Sequence, residues 1–317
     1  HGIVKDRELR DNPPAAPDDD WLWRRYGQRF VYNENRPEVH EVLRHWRQVA
    51  EEYDPGRLLM GETFTLSLAD MAGFYGAPGA DELQLALNFP FLFSSFEAEA
   101  LGAIVQSTEN AIPDHGWPVW AGSNHDVSRF PTRWCQGDPR KIRCALLMLL
   151  TLRGSPVIYY GDEIGMEDAE VPESEVRDRT RVPGRDAART PMQWSPGAGA
   201  GFTAPGAKPW LPVGDALRAN VADQAKDPQS ILNLTRDLIR VRQEVTGRFQ
   251  RIPAAPGTWV FARGDSHLVM LNMADQEAAV ENVKGSIVIC TDRDRDGEQV
   301  DGRVRLAPWQ GALLRLA

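Results

Sequence analysis

Residues 138–163 read DPRKIRCALLMLLTLRGSPVIYYGDE, and their pattern decides the fold class. Asp138 followed by Pro139 marks a helix start: a carboxylate that can accept from unpaired backbone N–H groups, then a residue with no N–H to leave unpaired. An apolar stretch from Ala145 to Leu152 follows, and Gly154 closes it. Val157–Tyr160 then reads as a short buried strand that stops at Gly161-Asp162-Glu163. Helix, stop, strand and polar tip make one repeat of an α/β architecture.

The same rhythm appears upstream. Asn35 with Glu38 three residues later, and Pro37 in the first turn, reads as a capped helix start. Val39, Val42, Leu43, Trp46 and Val49 recur behind it at helical spacing. The run Arg57–Met60 ends at Gly61-Glu62-Thr63. Leu83–Phe89 is a second run, and Ser94 with Glu97 opens the next helix. Pro118–Ala121 is a third run, ending at Ser123-Asn124-His125-Asp126. Four strand-like runs separated by helices predict parallel strands with crossover helices. In such folds ligands bind at the C-terminal strand tips, where these polar clusters lie.

The flanks behave differently. Residues 1–35 are polar and proline-rich, a loop by composition. Residues 163–226 are rich in Gly, Pro, Asp and Arg and too long for a plain connector, which points to a loop bordering a site. Asp227-Pro228 caps a last amphipathic helix bearing Ile231, Leu238, Val241 and Val245. Beyond about Gly247 the period becomes two, at Trp259–Ala262, Leu268–Leu271, Ile287–Ile289 and Val304–Leu306, the pattern of a small antiparallel β domain. The expected domains are therefore 1–246 and 247–317.

Composition narrows the function. A chain of 317 residues, 42% hydrophobic and 26% charged, is an ordinary globular protein. A net charge of −9 opposes a nucleic-acid partner, which needs a basic face. Cys135, Cys144 and Cys290 are too few and too scattered for a disulfide framework or a zinc site. The longest apolar stretch is far short of the roughly 20 residues that cross a bilayer, so no membrane partner is expected. The opening HGIVKDRELRDNPP has no signal-peptide pattern. His1 is not an initiator methionine, so the expectation is a piece of a longer chain, cytoplasmic in location.

Glu62 stands where a strand gives way to a loop, and Gly61 leaves room beside it. Such a glutamate suits a general acid in a partly apolar setting, although position alone favours a solvated loop carboxylate. Asn124-His125-Asp126 puts three hydrogen-bonding side chains at another tip, and a parallel sheet brings such tips together. Paired carboxylates across a cleft are what glycosidic cleavage requires. The 10 tryptophans and 6 tyrosines include flat rings that could stack on sugars, although most such rings serve packing. Nothing in the spacing suggests a catalytic metal, a G-x-S-x-G elbow or a phosphate loop. Asp292, Asp294, Asp296 and Gly297 match the opening of an EF-hand loop, but Arg303 stands where its bidentate glutamate belongs, so a charged turn is expected. Asn233-Leu234-Thr235 fits a glycosylation pattern inside a predicted helix and is read as accidental.

Four segments in order, RLLMGET (57–63), WAGSNHDVSRF (120–130), LLTLRGSPVIYYGDEIGMED (149–168) and GRDAARTPMQW (184–194), resemble successive motifs of the α-amylase family of glycoside hydrolases (family 13). The nearest likeness is to its α-glucosidase and oligo-1,6-glucosidase branch. The opening HGIVKDRELRDNPP resembles the segment just after the family's fourth barrel strand. The resemblance implies a (β/α)8 TIM barrel with a C-terminal β-sandwich and a retaining mechanism through a covalent glycosyl-enzyme. It implies Glu62 as general acid/base and Asp126 as a further carboxylate that holds sugar hydroxyls and favours an oxocarbenium-like state. His125, beside Asn124, would hydrogen-bond the same sugar, and Arg129 and Arg189 would border the substrate channel. The substrate implied is a small α-linked glucose oligosaccharide, with no cofactor and no metal among the residues present; oligomeric state stays open.

One departure matters. The family's nucleophilic aspartate and its neighbouring arginine precede the segment resembled by the opening, and neither is in these residues. The four runs would then be strands five to eight, the C-terminal half of the barrel, and the chain alone is expected to be inactive. Two alternatives remain: an α-glucosyl transferase or isomerase acting on sucrose, trehalose or maltose, and a non-catalytic sugar- or partner-binding relative.

Overall fold

The computed structural model describes residues 2–76, 79, 81–179, 184–204 and 206–317. In chain order the helices are α1 (Trp21–Tyr26), α2 (Val39–Glu51), α3 (Leu68–Gly73), α4 (Phe89–Leu92), α5 (Ala98–Ala111), α6 (Phe130–Arg133), α7 (Pro139–Thr151), α8 (Val221–Gln224) and α9 (Ile231–Arg242). The strands are β1 (Met60–Gly61), β2 (Leu85–Ala86), β3 (Val119–Ala121), β4 (Ser155–Val157), β5 (Phe249–Ile252), β6 (Thr258–Arg263), β7 (His267–Asn272), β8 (Ala278–Cys290), β9 (Gln299–Leu306) and β10 (Gly311–Leu316). These fall into two compact units, His1–Pro90 with Ser107–Val119, and Phe91–Gln106 with Trp120–Ala317.

In the first unit β1 pairs in parallel with β2, Met60 beside Leu85 and Gly61 beside Ala86, and Leu87 bridges in parallel to Val119. Its core is Val39 and Leu43 of α2 with Met71, Phe74, Tyr75, Leu83, Ala86 and Ile112. The expected apolar face of α2 is only partly used: Val39 and Leu43 are buried, while Trp46 and Val49 are exposed. Asn35 is not the cap of α2. It adopts a positive φ of 50° and its side-chain amide donates to Asp70, 3.1 Å away. Glu82 is buried and charge-paired, held by His40 Nδ1 at 2.7 Å and Arg44 Nη1 at 2.8 Å.

In the second unit β3 pairs with β4. The start of α7 is as the sequence predicts: Asp138 accepts from the backbone N–H of Arg140 at 2.9 Å, with Pro139 as the first helical residue. Ile142, Cys144 and every residue from Ala145 to Thr151 are buried, as befits a helix whose C-terminal part is apolar on all sides. β4 occupies Ser155–Val157, earlier than the expected Val157–Tyr160, because Tyr159 and Tyr160 leave the ladder for the contacts described below. Helix α9 is capped by Ser230, whose Oγ accepts from Asn233 N–H at 3.2 Å, and not by Asp227.

The C-terminal strands form one antiparallel sheet in the order β5-β6-β7-β10-β8-β9. The expected sandwich is replaced, among the described residues, by a single sheet whose central strands β6, β7 and β10 are buried on both faces for most of their length. One face, through Trp259, Phe261, Val269, Leu271, Ile289 and Leu313, joins the same apolar cluster as α7. On the other, Val260, Met270, Ala312 and Leu314 cluster with Val283 and Ile287 of β8 and Val300, Val304 and Leu306 of β9. Register shifts between Val280 and Val283, and such an irregularity bends a strand and raises its twist.

The two decoy motifs are occupied structurally. Asp292 accepts from Gln310, Asp294 from Gln229 at 3.2 Å, and Asp296 from Arg293 at 2.7 Å, around a turn. The Asn233 amide donates to the carbonyls of Gln224 (3.1 Å) and Asp227 (2.7 Å). Among the described residues no helix is long and apolar enough to cross a membrane.

Candidate active site

Glu62 belongs to the first unit. It follows β1 directly, and Leu87 N–H donates to the Gly61 carbonyl at 3.0 Å, closing the β1–β2 ladder beside it. Gly61 is required by packing: a Cβ there would lie 2.4 Å from Leu83 Cδ1, a separation that forces a shift. Leu83 is buried in the core, so the backbone carrying Glu62 is seated closely on that core. The neighbour Thr63 is buried and Glu62 itself is exposed. Sequence and structure agree on a carboxylate presented at the C-terminal end of a parallel strand.

Asn124, His125, Asp126, Arg129 and Arg189 belong to the second unit. Beyond β3 the chain turns at Asn124, whose Oδ1 accepts from Asp126 N–H at 2.9 Å. That bond shapes the turn, so Asn124 orients its neighbour. Asp126 is half-buried, its side chain 38% exposed, and His125 Nε2 lies 3.6 Å from its Oδ1.

Two arginines converge on Asp126. Arg185 Nη1 lies 2.6 Å and Arg189 Nη2 2.7 Å from Oδ1. Their other terminal nitrogens meet Asp178 Oδ2, at 2.5 Å from Arg185 Nη2 and 2.7 Å from Arg189 Nη1. Two guanidinium groups thus bridge the same two carboxylates, a closed array of four charges with no net charge. Arg185 and Arg189 stand four apart on a short 3₁₀ turn, Arg185–Arg189, entered through Gly184 at φ 88°. Asp186 in that turn is buried and accepts from the backbone N–H groups of Arg177 (2.6 Å) and Asp178 (2.9 Å). It therefore clamps the segment bearing Asp178 to the turn bearing both arginines. Arg189 Nε also donates to the His125 carbonyl at 2.6 Å.

Beneath this array lies Arg129, and its place corrects the sequence reading. It was expected to border the substrate channel; instead it is fully buried. Its guanidinium lies 4.7 Å and 4.5 Å from the ring centres of Tyr159 and Tyr160 and donates to the Tyr160 carbonyl. Stacking on two rings offsets part of the cost of burying the charge. The two tyrosines in turn donate their hydroxyls to the Ala188 (3.2 Å) and Thr190 (2.7 Å) carbonyls. Arg129 thus supports the turn carrying Arg185 and Arg189 without reaching the surface itself.

Asp162, at the tip beyond β4, accepts from Ser123 Oγ at 2.9 Å and from Tyr159 N–H at 3.1 Å. Ser123 Oγ accepts in turn from Phe130 N–H at 2.8 Å, so one carboxylate ties the loops after β3 and β4 together. Burial pushes the Asp162 carboxyl up to about 7, against the opposing pull of the Arg129 charge and these bonds.

Residues 3–248 match the family model described as alpha amylase, catalytic domain. The chain belongs to the α-amylase family. All the candidate residues lie within the matched stretch. A probable alpha-glucosidase of Rhizobium meliloti is 30% identical, the match covering 98% of this chain and 60% of the relative. A glucan 1,6-alpha-glucosidase of Streptococcus pneumoniae is 28% identical over 89% of this chain and 61% of its own length. Among solved structures, the alpha-glucosyl transfer enzyme XgtA superposes with a TM-score of 0.84 at 29% identity, covering 99% of this chain and 62% of that one. The isomaltulose synthase SmuA from Protaminobacter rubrum has a TM-score of 0.79 at 23% identity, a likeness of fold. The chain thus spans about 60% of the length of each of these two curated relatives.

The α-amylase fold is a TIM barrel, here followed by the C-terminal antiparallel sheet. Two members of the charge array, Asp178 and Arg185, were missed by sequence reasoning. Arginines four apart in GRDAAR would have hinted at a shared face, but Asp178 had no motif to mark it.

Proposed function

We propose that these residues supply the acid/base and substrate-holding part of a retaining α-glucosidase site that cleaves α-glucosidic bonds in short glucose oligosaccharides. In this reading β1 to β4 are strands five to eight of the barrel. Glu62 protonates the leaving glycosidic oxygen and later takes the proton from the incoming water. Asp126 accepts from sugar hydroxyls, and His125 donates to the same ring. The nucleophilic carboxylate that attacks the anomeric carbon has no counterpart among these residues, so the 317-residue chain by itself does not turn over. What supports the reading most is an exposed glutamate placed directly after a parallel strand within a match to the α-amylase catalytic domain.

Two measurements test it. The 317-residue chain incubated with a chromogenic α-glucoside gives no turnover; robust turnover overturns the claim of inactivity. Joining it to an N-terminal half-barrel that supplies the nucleophilic aspartate gives a completed enzyme with activity. Glucosyl transfer in place of hydrolysis is a second reading, favoured by the likeness to the alpha-glucosyl transfer enzyme at 29% identity. Products from a disaccharide separate the two: free glucose alone for hydrolysis, new linkages for transfer.

A further inference from the structure

We propose that Arg185, anchored by Asp178, is a positioning residue for Asp126: it fixes the carboxylate's rotation so that Oδ2 is presented to the sugar. This rests on the glycosidase reading given above and assigns a role to two residues that reading does not use.

A carboxylate on an aspartate rotates about two bonds, and a half-exposed one gains nothing by holding a single orientation. Here both arginine contacts to Asp126 fall on Oδ1, at 2.6 and 2.7 Å, so Oδ2 stays outside the array. Arg185 can hold Asp126 firmly because its other terminal nitrogen is held by Asp178, whose side chain is only 10% exposed. Asp178 is in turn fixed through its own backbone N–H by buried Asp186. The order of restraint runs from a buried residue outward to a half-exposed one. A guanidinium is the group for this task, since its planar fork spans two carboxylates at once. A lysine carries the same charge but offers one nitrogen.

Arg185 and Arg189 divide the work. Arg189 also donates to the His125 carbonyl at 2.6 Å and so ties the 3₁₀ turn to the turn that carries the sugar-facing residues. Arg185 contacts Asp126 and Asp178 as described and approaches Asp126 from outside that turn. Its guanidinium also offsets the negative charge of Asp126, so that two carboxylates can lie on one array without mutual repulsion.

The test uses R185A, R185K and D178N in the completed enzyme, with E62Q as the control for the glycosidase reading. Loss of alignment at the reacting ring lowers kcat about a hundredfold, with KM for the α-glucoside unchanged within about threefold. R185K is impaired like R185A, because charge without the fork does not bridge, and D178N shifts kcat the same way. Free guanidinium at low millimolar concentration restores part of the R185A rate, and leaves R185K and E62Q unmoved. The thermal midpoint of each variant stays within about 2 °C of the parent. If E62Q is inactive while R185A keeps kcat within twofold, the positioning role is wrong and the glycosidase reading stands. A fall in kcat that guanidinium does not restore, accompanied by a fall in midpoint, makes Arg185 merely structural and likewise overturns the proposal. If E62Q is as active as the parent, the glycosidase reading fails and the role given to Arg185 falls with it.

Discussion

At Gly61 and Asp162 single atoms carry large consequences. Gly61→Ala places a methyl 2.4 Å from Leu83 Cδ1, and the overpacking costs about 1–3 kcal/mol; urea unfolding of the chain and of the variant measures it. An unchanged midpoint would mean that Leu83 yields freely. Asp162 makes a prediction about pH. Its folded-state value of about 7 lies above the ordinary 3.8, so the native state binds the proton more tightly than the unfolded chain. Stability from this group is therefore lost as pH rises from about 4 to about 7. Asp162→Asn removes the ionisation, and the stability of the variant relative to the parent rises by about 2–3 kcal/mol between pH 5 and pH 8. Equal differences at the two pH values would show that the carboxyl is not held protonated. At this scale the placement of Glu62, His125 and Asp126 beyond strand ends was legible because each stands in a motif tied to a strand end. Arg129 was misplaced because an arginine in a loop motif gives no sign that two tyrosines, thirty residues on, will enclose it. The Asp178–Arg185 contact depends on a fold of the long 163–226 segment that carries no periodicity to read.

Among the elements, those with a single strong cause were read well. Asp138-Pro139 caps α7 as its chemistry dictates. Period-two alternation located β6, β7 and β9. Competing causes produced the errors. Two cap-forming residues, Asp227 and Ser230, precede α9, and the helix starts at the second. Asn35 offers a cap to α2 but takes a left-handed turn and binds Asp70 instead. The β4 run extends apolar through Tyr160, yet both tyrosines leave the ladder because their hydroxyls find backbone carbonyls of the arginine-bearing turn. The element with the most at stake is α7. Leu147 is fully buried and also lies near Gly311 of β10, where an added Cβ would come 2.7 Å from it. Leu147→Ala is expected to destabilise the chain by about 3 kcal/mol in urea unfolding, and a loss under 1 kcal/mol would contradict the shared core of α7 and the sheet.

At the scale of the whole molecule, the expected boundary at 246/247 marks where the strand pattern begins, and one apolar cluster runs across it. One face of the C-terminal sheet packs into the cluster that holds α7. Excised residues 247–317 are therefore expected to expose that face, to bind a hydrophobic dye and to unfold without a cooperative transition; a sharp, dye-free transition would show a self-sufficient domain. The single sheet was not foreseen because alternation along strands fixes which side chains share a face but not which strands are neighbours. Family membership is shown by the match over 3–248, and the chemistry proposed for it rests on Glu62. The most direct measurement compares Glu62→Gln with the parent in the completed enzyme on a short glucose oligosaccharide. Removing a general acid/base predicts a loss in kcat of about a hundred- to ten-thousand-fold, which added azide does not recover, because a sugar leaving group still needs the missing acid before any glycosyl-enzyme forms. Turnover by E62Q equal to the parent's would contradict the account.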